Sequence, residues 1–405
     1  MLSLFRRVTY CKYAQLKRQQ LLASSEGTVA ESASRAASNS ASACGAPRND
    51  SRRRLVLGIE TSCDDTGAAV VDEHGTIVGD ALNSQTKTHI EFGGIIPPIA
   101  RDLHQKHIES VVQLSLDRAG VTLQDLDAVA VTVKPGLALC LKVGLEHARM
   151  LVKKSRLPLI PIHHMEAHAL TARMIERIDF PFLVLLASGG HCLLAVARNV
   201  SDFLLLGTSM DDSPGEAYDK TARQLKLKNL SACSGLSGGA AIELIAQSGN
   251  PKAFQFPQVM TQLPDCNFSF SGIKTAARKI IEMEEKRLNV PPSQVVPTAP
   301  DICASFQYAV LHHLARRLQR AFLFCELKGL LPKEKTLVVS GGVASNAYLR
   351  GGLQKVCEQN SCHLVCPPAQ LCTDNGIMIA WNGMEKLLEG IGIAENPETV
   401  DLEAK

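Results

Sequence analysis

The strongest constraint on the fold is a pattern that occurs twice. Leu55–Glu60 (LVLGIE) is a mostly apolar run that reads as a buried strand, followed by a polar turn, Thr61–Thr66, and a second run, Gly67–Asp72 (GAAVVD). Phe182–Ala187 (FLVLLA), the turn Ser188-Gly189-Gly190 and the run Cys192–Ala197 repeat the arrangement. Short unbroken apolar runs between turn residues read as strands covered on both faces. A third strand follows each time, at Thr76–Leu82 and at Phe203–Gly207. In the first half, helical spacing at Ile99–Ala119 and Leu141–Lys154 then alternates with strands at Asp127–Val133 and Leu159–Ile162, and a helix starts at His164. In the second, helices Glu216–Lys226 and Asp301–Leu327 flank an irregular stretch. Strands Thr336–Ser340 and His363–Cys366 then alternate with helices from Ser345 and Asp374. A meander followed by alternating helix and strand, twice over, predicts an α/β duplication with a cleft between its halves.

Composition removes several classes of function. The chain has 405 residues, 45% of them hydrophobic, enough for a sizeable core. Its 12 Phe, 5 Tyr and 1 Trp are too few for an aromatic surface that stacks single-stranded bases. No apolar run approaches the ~18 residues of a membrane span. Residues 1–54 carry ten Lys/Arg against Glu26, Glu31 and Asp50, so a net charge of +3 leaves the body slightly acidic. Such a body binds polyanions only through a local basic patch; Lys153-Lys154-Arg156 and Arg316-Arg317-Arg320 are candidates, with solvated helix faces the plainer reading. The 13 cysteines include no CxxC pair, and Cys357, Cys362, Cys366 and Cys372 do not match a zinc-finger spacing. Free, mostly buried thiols in a reducing compartment are expected. Met1–Arg18 holds Arg6, Arg7, Lys12, Lys17 and Arg18 without an acid, and 14 of the 22 residues from Ala23 to Cys44 are Ser or Ala. This is the composition of a transit peptide and predicts the mitochondrial matrix.

Chemistry concentrates in a few segments. In His164-Met165-Glu166-Ala167-His168, the two imidazoles share a helix face and can reach one cation. A zinc-protease HExxH motif has its general base beside the first His; Glu166 instead lies on the opposite side of the helix, which opposes a protease. Asp374, at the start of the last helix, is a candidate third ligand, or simply a helix cap. The glycine pairs of Ser188-Gly189-Gly190-His191 and Ser340-Gly341-Gly342-Val343 let backbone N–H groups approach an anion, although glycines also make plain tight turns. Asp64 and Asp65 occupy the first turn, where a carboxylate orients a metal, a water or an amine, or forms an Asx-turn. Asp219 opens a helix and suits ribose hydroxyls, or is a surface charge. Asn267–Thr275 (NFSFSGIKT) ends beside Lys274, a candidate phosphate contact.

Seven segments in this order carry a resemblance: Gly58–Thr66 (GIETSCDDT), His164–His168 (HMEAH), Leu186–His191 (LASGGH), Gly215–Thr221 (GEAYDKT), Phe268–Ala276 (FSFSGIKTA), Ser340–Asn346 (SGGVASN) and Cys372–Asn375 (CTDN). Together they resemble the TsaD family, the tRNA N6-threonylcarbamoyladenosine transferases, and with the leader its mitochondrial branch. The resemblance implies an actin-like ATPase fold of the sugar kinase/DnaK type, with two α/β lobes around a nucleotide cleft. The lobes would be residues 54–180 and 181–395, after a leader of 1–50 and before a tail of 396–405. It implies transfer of threonylcarbamoyl from L-threonylcarbamoyladenylate to N6 of the adenosine 3′-adjacent to the anticodon, in mitochondrial tRNAs reading ANN codons, releasing AMP. His164, His168 and Asp374 would hold one divalent metal ion per subunit; zinc, iron and manganese all suit this donor set. Leu186, Ala187, Ser188, Gly189, Gly190, Asp219, Gly239 and Asn346 would bind the adenylate, and Asp64 would assist catalysis. The implied partners are tRNA, a YrdC-type synthase supplying the adenylate, and a second copy of the chain in a homodimer, with no membrane insertion.

The sequence departs from the family pattern twice. The usual Asp-Glu of the first turn is Asp64-Asp65, and a PGGP segment reads Ser237-Gly238-Gly239-Ala240 after an extra stretch around Asn229–Leu236. Two other readings remain on the same residues: a nucleotide-gated binding protein of actin-like fold, which would not need the histidines, and a disfavoured metalloprotease.

Overall fold

The structure is a computed structural model that describes residues 53–92 and 94–404. The expected leader, residues 1–50, lies outside the described residues.

Five strands form the first sheet: β1 (Leu55–Glu60), β2 (Asp65–Asp72), β3 (Ile77–Ser84), β4 (Ala128–Lys134) and β5 (Leu159–His163). Five more form the second: β6 (Phe182–Ala187), β7 (Cys192–Asn199), β8 (Asp202–Thr208), β9 (Lys335–Ser340) and β10 (Cys362–Val365). The orders, β3-β2-β1-β4-β5 and β10-β9-β6-β7-β8, are the same topology read from opposite ends. Pairing agrees as well: β1–β2 and β6–β7 are antiparallel, whereas β1–β4 and β6–β9 are parallel. The duplication expected from the two meanders is therefore present strand for strand. Central strands β1 and β6 are buried at every residue, as strands covered by helices on both faces must be.

The helices are α1 (Thr86–Glu91), α2 (Pro97–Ala119), α3 (Ala138–Ser155), α4 (His164–Ile175), α5 (Pro214–Gln224) and α6 (Gly238–Ala246). They continue with α7 (Ser271–Arg287), α8 (Ala299–Lys328), α9 (Ala347–Gln359), α10 (Ala369–Cys372) and α11 (Gly376–Glu389). Two of them tie the lobes together. The α11 helix, last in sequence, returns to pack on β1, β2 and β4 of the first sheet, and α4 packs on β6 and β9 of the second. The two helices also pack on each other. A single apolar layer results, joining Val56, Ala130 and Ile162 of one sheet to Val184, Leu186 and Val338 of the other. Gly58 makes this layer possible, because a Cβ there would lie 2.2 Å from the Ala380 amide nitrogen in α11.

Two expectations need correction. The stretch read as irregular before Asp301 contains α6 and α7, and Thr86–Glu91 is also helical. The buried stripe of α7, Ile273, Ala277, Ile281 and Glu284, has helical spacing but includes a charge and a small residue, which weakens the apolar signal. Arg316, Arg317 and Arg320 form neither a solvated face nor a patch for polyanions. Arg317 is 1% exposed and donates to the carbonyls of Met260 (2.7 Å), Asp265 (3.0 Å) and Leu263 (3.2 Å). Arg320 donates to the Leu263 and Asp265 carbonyls, and Arg316 to that of Val259 (3.2 Å). These guanidinium groups clamp the 259–265 loop to α8. Arg317→Met leaves carbonyls of that loop short of donors, and about 3 kcal/mol of destabilisation is expected in urea unfolding. The eleven cysteines among the described residues are free thiols, nine of them buried, as their scatter suggested.

Candidate functional site

The two interlocking helices converge at one end of the buried layer. The β5 strand ends at His163, whose side chain caps α4 by accepting from the Met165 amide (3.2 Å). His164 and His168 therefore sit on consecutive turns of the same helix face. Their Nε2 atoms are 3.2 Å apart, and Asp374 Oδ1 lies 3.1 Å from His168 Nε2 and 3.4 Å from His164 Nε2. One ligand atom from each residue falls within 4.8 Å of the others, the convergence that a single cation requires. Asp374 is not the cap of α11. Asn375 takes that role by accepting from the Met378 amide (2.9 Å), which leaves the neighbouring carboxylate free to face the histidines. Both imidazoles are buried while a quarter of the Asp374 side chain is exposed, so the group is enclosed on the protein side and open towards the cleft.

Charge in this group is strongly coupled. Burial alone would lower the His164 pKa, but Asp374 and Glu60 hold it well above its ordinary value. Burial works against the Asp374 carboxylate, yet His164 and His168 keep it well below the ordinary range. A cation therefore competes with a proton for this site. Glu166 points elsewhere: its Oε2 lies 3.2 Å from Lys386 Nζ, consistent with its position off the histidine face.

Sequence reasoning missed Glu60. It closes β1, is fully buried, and places Oε2 3.1 Å from His164 Nδ1. The signal was present as a lone acid ending the apolar run LVLGIE. In the following turn Asp64 is half-buried, and its backbone carbonyl accepts from the Gln85 amide (3.0 Å). Burial pushes the neighbouring Asp65 up to about 7, with Asp64, Asp374 and Glu60 adding to the effect, and Asp65 Oδ1 has no hydrogen-bond partner.

The proposed adenylate residues are linked to one another around the turn after β6. Leu186 and Ala187 are buried at the end of β6, so only their backbone can serve a ligand. Ser188 closes a tight turn, its amide donating to the His191 carbonyl (2.8 Å) and its hydroxyl accepting from the His191 amide (3.0 Å). At Gly189 and Gly190 a Cβ would meet nothing within 4 Å, so their backbone faces open space. His191 is exposed at this turn; partial desolvation lowers its pKa and the charge of His164 lowers it further, so the turn is within electrostatic reach of the histidine pair. The Ser188 carbonyl accepts from Gly215 (3.2 Å), drawing in the N-terminus of α5. Asp219, on α5, abuts Gly238: a Cβ on that glycine would lie 2.4 Å from Asp219 Oδ1. Burial raises the Asp219 pKa against the opposing amides of Gly238 and Gly239. Gly239 itself faces open space. The second glycine pair backs this turn, with Gly341 at φ 97° against the Ala187 backbone.

Two candidates are occupied by structural work. Asn346 caps α9 by accepting from the Leu349 amide (2.9 Å) and donates to Gln307 Oε1 (2.7 Å). Lys274 pairs with Asp212, which also takes Lys220 (3.3 Å). The unusual Ser/Phe run before Lys274 is held by Asp211, which accepts from the hydroxyls of Ser269 and Ser271 (both 2.5 Å) and the Phe270 amide (2.8 Å).

The family model for tRNA N6-adenosine threonylcarbamoyltransferase matches residues 76–381. The chain is 52% identical over 353 residues to the mitochondrial tRNA N6-adenosine threonylcarbamoyltransferase of Xenopus tropicalis, covering 87% of each chain. It is 51% identical over 353 residues to the Homo sapiens protein of the same name, covering 87% of this chain and 85% of that one. To the tRNA N6-adenosine threonylcarbamoyltransferase of Rhodospirillum rubrum it is 44% identical over 343 residues, covering 83% and 90%. Among solved structures, T. kodakarensis HypF gives a TM-score of 0.48 at 15% identity, covering 84% of this chain and 48% of that one. With a family model spanning most of its body and relatives about half identical along most of their length, the chain belongs to the tRNA N6-adenosine threonylcarbamoyltransferase family.

Proposed function

We propose that the chain transfers the threonylcarbamoyl group from L-threonylcarbamoyladenylate to N6 of the adenosine 3′-adjacent to the anticodon, in mitochondrial tRNAs reading ANN codons. The observation that carries this reading is the convergence of His164, His168 and Asp374 within electrostatic reach of the Ser188–Gly190 turn in a chain of this family. In the transfer, N6 attacks the carbamoyl carbon, a C–N bond forms, the C–O bond to the phosphate breaks, and AMP leaves with that electron pair. The adenylate is a mixed anhydride with a good leaving group, so positioning and charge stabilisation make up most of the demand.

His164, His168 and Asp374 would hold one divalent ion, zinc, iron or manganese, and neutral imidazoles with a carboxylate fit any of these. Such an ion, when bound, supplies Lewis acidity at an oxygen placed beside it. The exposed backbone amides of Gly189 and Gly190 would take the phosphate, with Leu186, Ala187 and Ser188 fixing the turn. Asp219, Gly239 and Asn346 would bind the nucleoside part of the adenylate. Asp64 would accept the proton that N6 loses as the new bond forms. Stripping the ion with a chelator is expected to remove at least nine-tenths of product formation, and adding back zinc, iron or manganese to restore it. Activity unchanged by complete metal removal, measured by elemental analysis, would overturn the metal's role.

The mitochondrial names of the relatives and the Arg- and Ser-rich composition of residues 1–50 support a location in the mitochondrial matrix. Among the described residues no helix is long and apolar enough to cross a membrane. The adenylate would come from a YrdC-type synthase, and the working form would be a homodimer.

A further inference from the structure

We infer that Glu60 is a positioning residue that selects the metal-binding tautomer of His164; the inference rests on the metal site proposed above. Glu60 is 0% exposed, and each of its oxygens has a donor beside it. Oε1 accepts from the Ser62 amide (2.5 Å), while Oε2 accepts from the Thr132 hydroxyl (2.5 Å) and faces His164 Nδ1 at 3.1 Å. A carboxylate has no proton to give. A neutral His164 therefore carries its single N–H on Nδ1, donated to Glu60, and turns the Nε2 lone pair towards His168 Nε2 and Asp374 Oδ1. The Ser62 hydroxyl, 3.2 Å from Nδ1, can accept or donate, so the carboxylate decides: the other tautomer would set the Nδ1 lone pair against Glu60 Oε2 and fill the ligand position with a hydrogen. His168 lacks this support, since its buried Nδ1 has no hydrogen-bond partner. The two histidines are thus unequal: His164 is fixed at Nδ1 by the end of β1, and His168 has no partner behind its Nδ1.

Glu60→Gln separates this role from simple packing, because it changes one atom without changing shape. The Ser62 amide cannot rotate, so it retains the glutamine oxygen. The glutamine NH2 then faces His164 Nδ1, where it demands an acceptor and drives the ring proton to Nε2. Thr132→Val removes a donor to Glu60 but leaves its carboxylate opposite His164.

The test is zinc affinity of the full-length chain by competition with a chromophoric chelator, with circular dichroism confirming the fold. Glu60→Gln is expected to weaken zinc binding 10- to 100-fold, the usual effect of losing a partner behind a ligating histidine, and Thr132→Val less than about threefold. Equal affinity of Glu60→Gln and wild type would overturn the inference while leaving the metal site standing. A wild-type chain that binds none of zinc, iron and manganese would take down both. If Glu60→Gln does not fold, nitrogen-15 NMR of the zinc-loaded wild type decides. A slowly exchanging proton on His164 Nδ1, absent from His164→Ala, is expected, and an Nδ1 without a proton contradicts the inference.

Discussion

His164→Ala combined with His168→Ala is expected to abolish stoichiometric metal binding and to lower threonylcarbamoyl transfer by on the order of 10³-fold or more, about 4 kcal/mol of transition-state stabilisation. Only Asp374 of the three converging ligands would remain, and a single carboxylate open to the cleft does not hold a divalent ion against water. The fold is expected to survive, because the imidazoles meet one another and acidic groups rather than the apolar layer, and alanine suits α4. Glu166→Gln is the informative control. That carboxylate is paired with Lys386 away from the histidines, so transfer should stay within a few-fold of wild type. Were the chain a metalloprotease of the HExxH kind, the acid beside the histidines would be indispensable. Glycoprotein or casein cleavage lost on chelation would favour that alternative.

A large effect on stability is expected at Gly58, where helix and sheet meet in the shared core. A methyl group there would lie 2.2 Å from the Ala380 amide nitrogen and 2.4 Å from the Gly376 carbonyl oxygen, both backbone atoms of α11. No side-chain rotation relieves such a contact; helix and sheet must separate. Gly58→Ala is therefore expected to cost about 3 kcal/mol or more in urea unfolding, at or above the top of the usual range for overpacking. Because Asp374 immediately precedes α11, any folded fraction should also bind metal more weakly. Gly351→Ala provides the contrast. It lies inside α9 with open space where the Cβ would go, and about 1 kcal/mol of stabilisation is expected from helix propensity.

Local pattern carried much of this structure. Both central strands, Leu55–Glu60 and Phe182–Ala187, have the bounds read from their apolar runs, since a strand covered on both faces is apolar throughout its middle; the one buried acid, Glu60, stands at the end of β1. The convergence of His164, His168 and Asp374 was legible for a similar reason: two histidines one helical turn apart are a local fact, and Asp374 stood out near a helix start. What the sequence concealed depends on long-range contact. Nothing local indicates that α11 packs on the first sheet, or that Arg317 is buried to bind carbonyls more than fifty residues earlier in the chain. Glu60 was hidden by its position, because an acid after an apolar run also reads as an ordinary strand end. Asn346 was singled out by its place in a family motif, and its cap of α9 and its bond to Gln307 depend on contacts that the motif alone does not reveal.

The most direct test of the account is reconstitution. The full-length chain is incubated with an adenylate-generating YrdC-type synthase, threonine, bicarbonate, ATP and unmodified mitochondrial tRNA, and the digested tRNA is read by mass spectrometry. Threonylcarbamoyladenosine with wild type, and none with the His164→Ala/His168→Ala variant, is the predicted result. Equal product from both would contradict the metal site. No product from a folded, metal-loaded, nucleotide-binding wild type would contradict the transferase reading and favour a nucleotide-gated binding protein of the same fold.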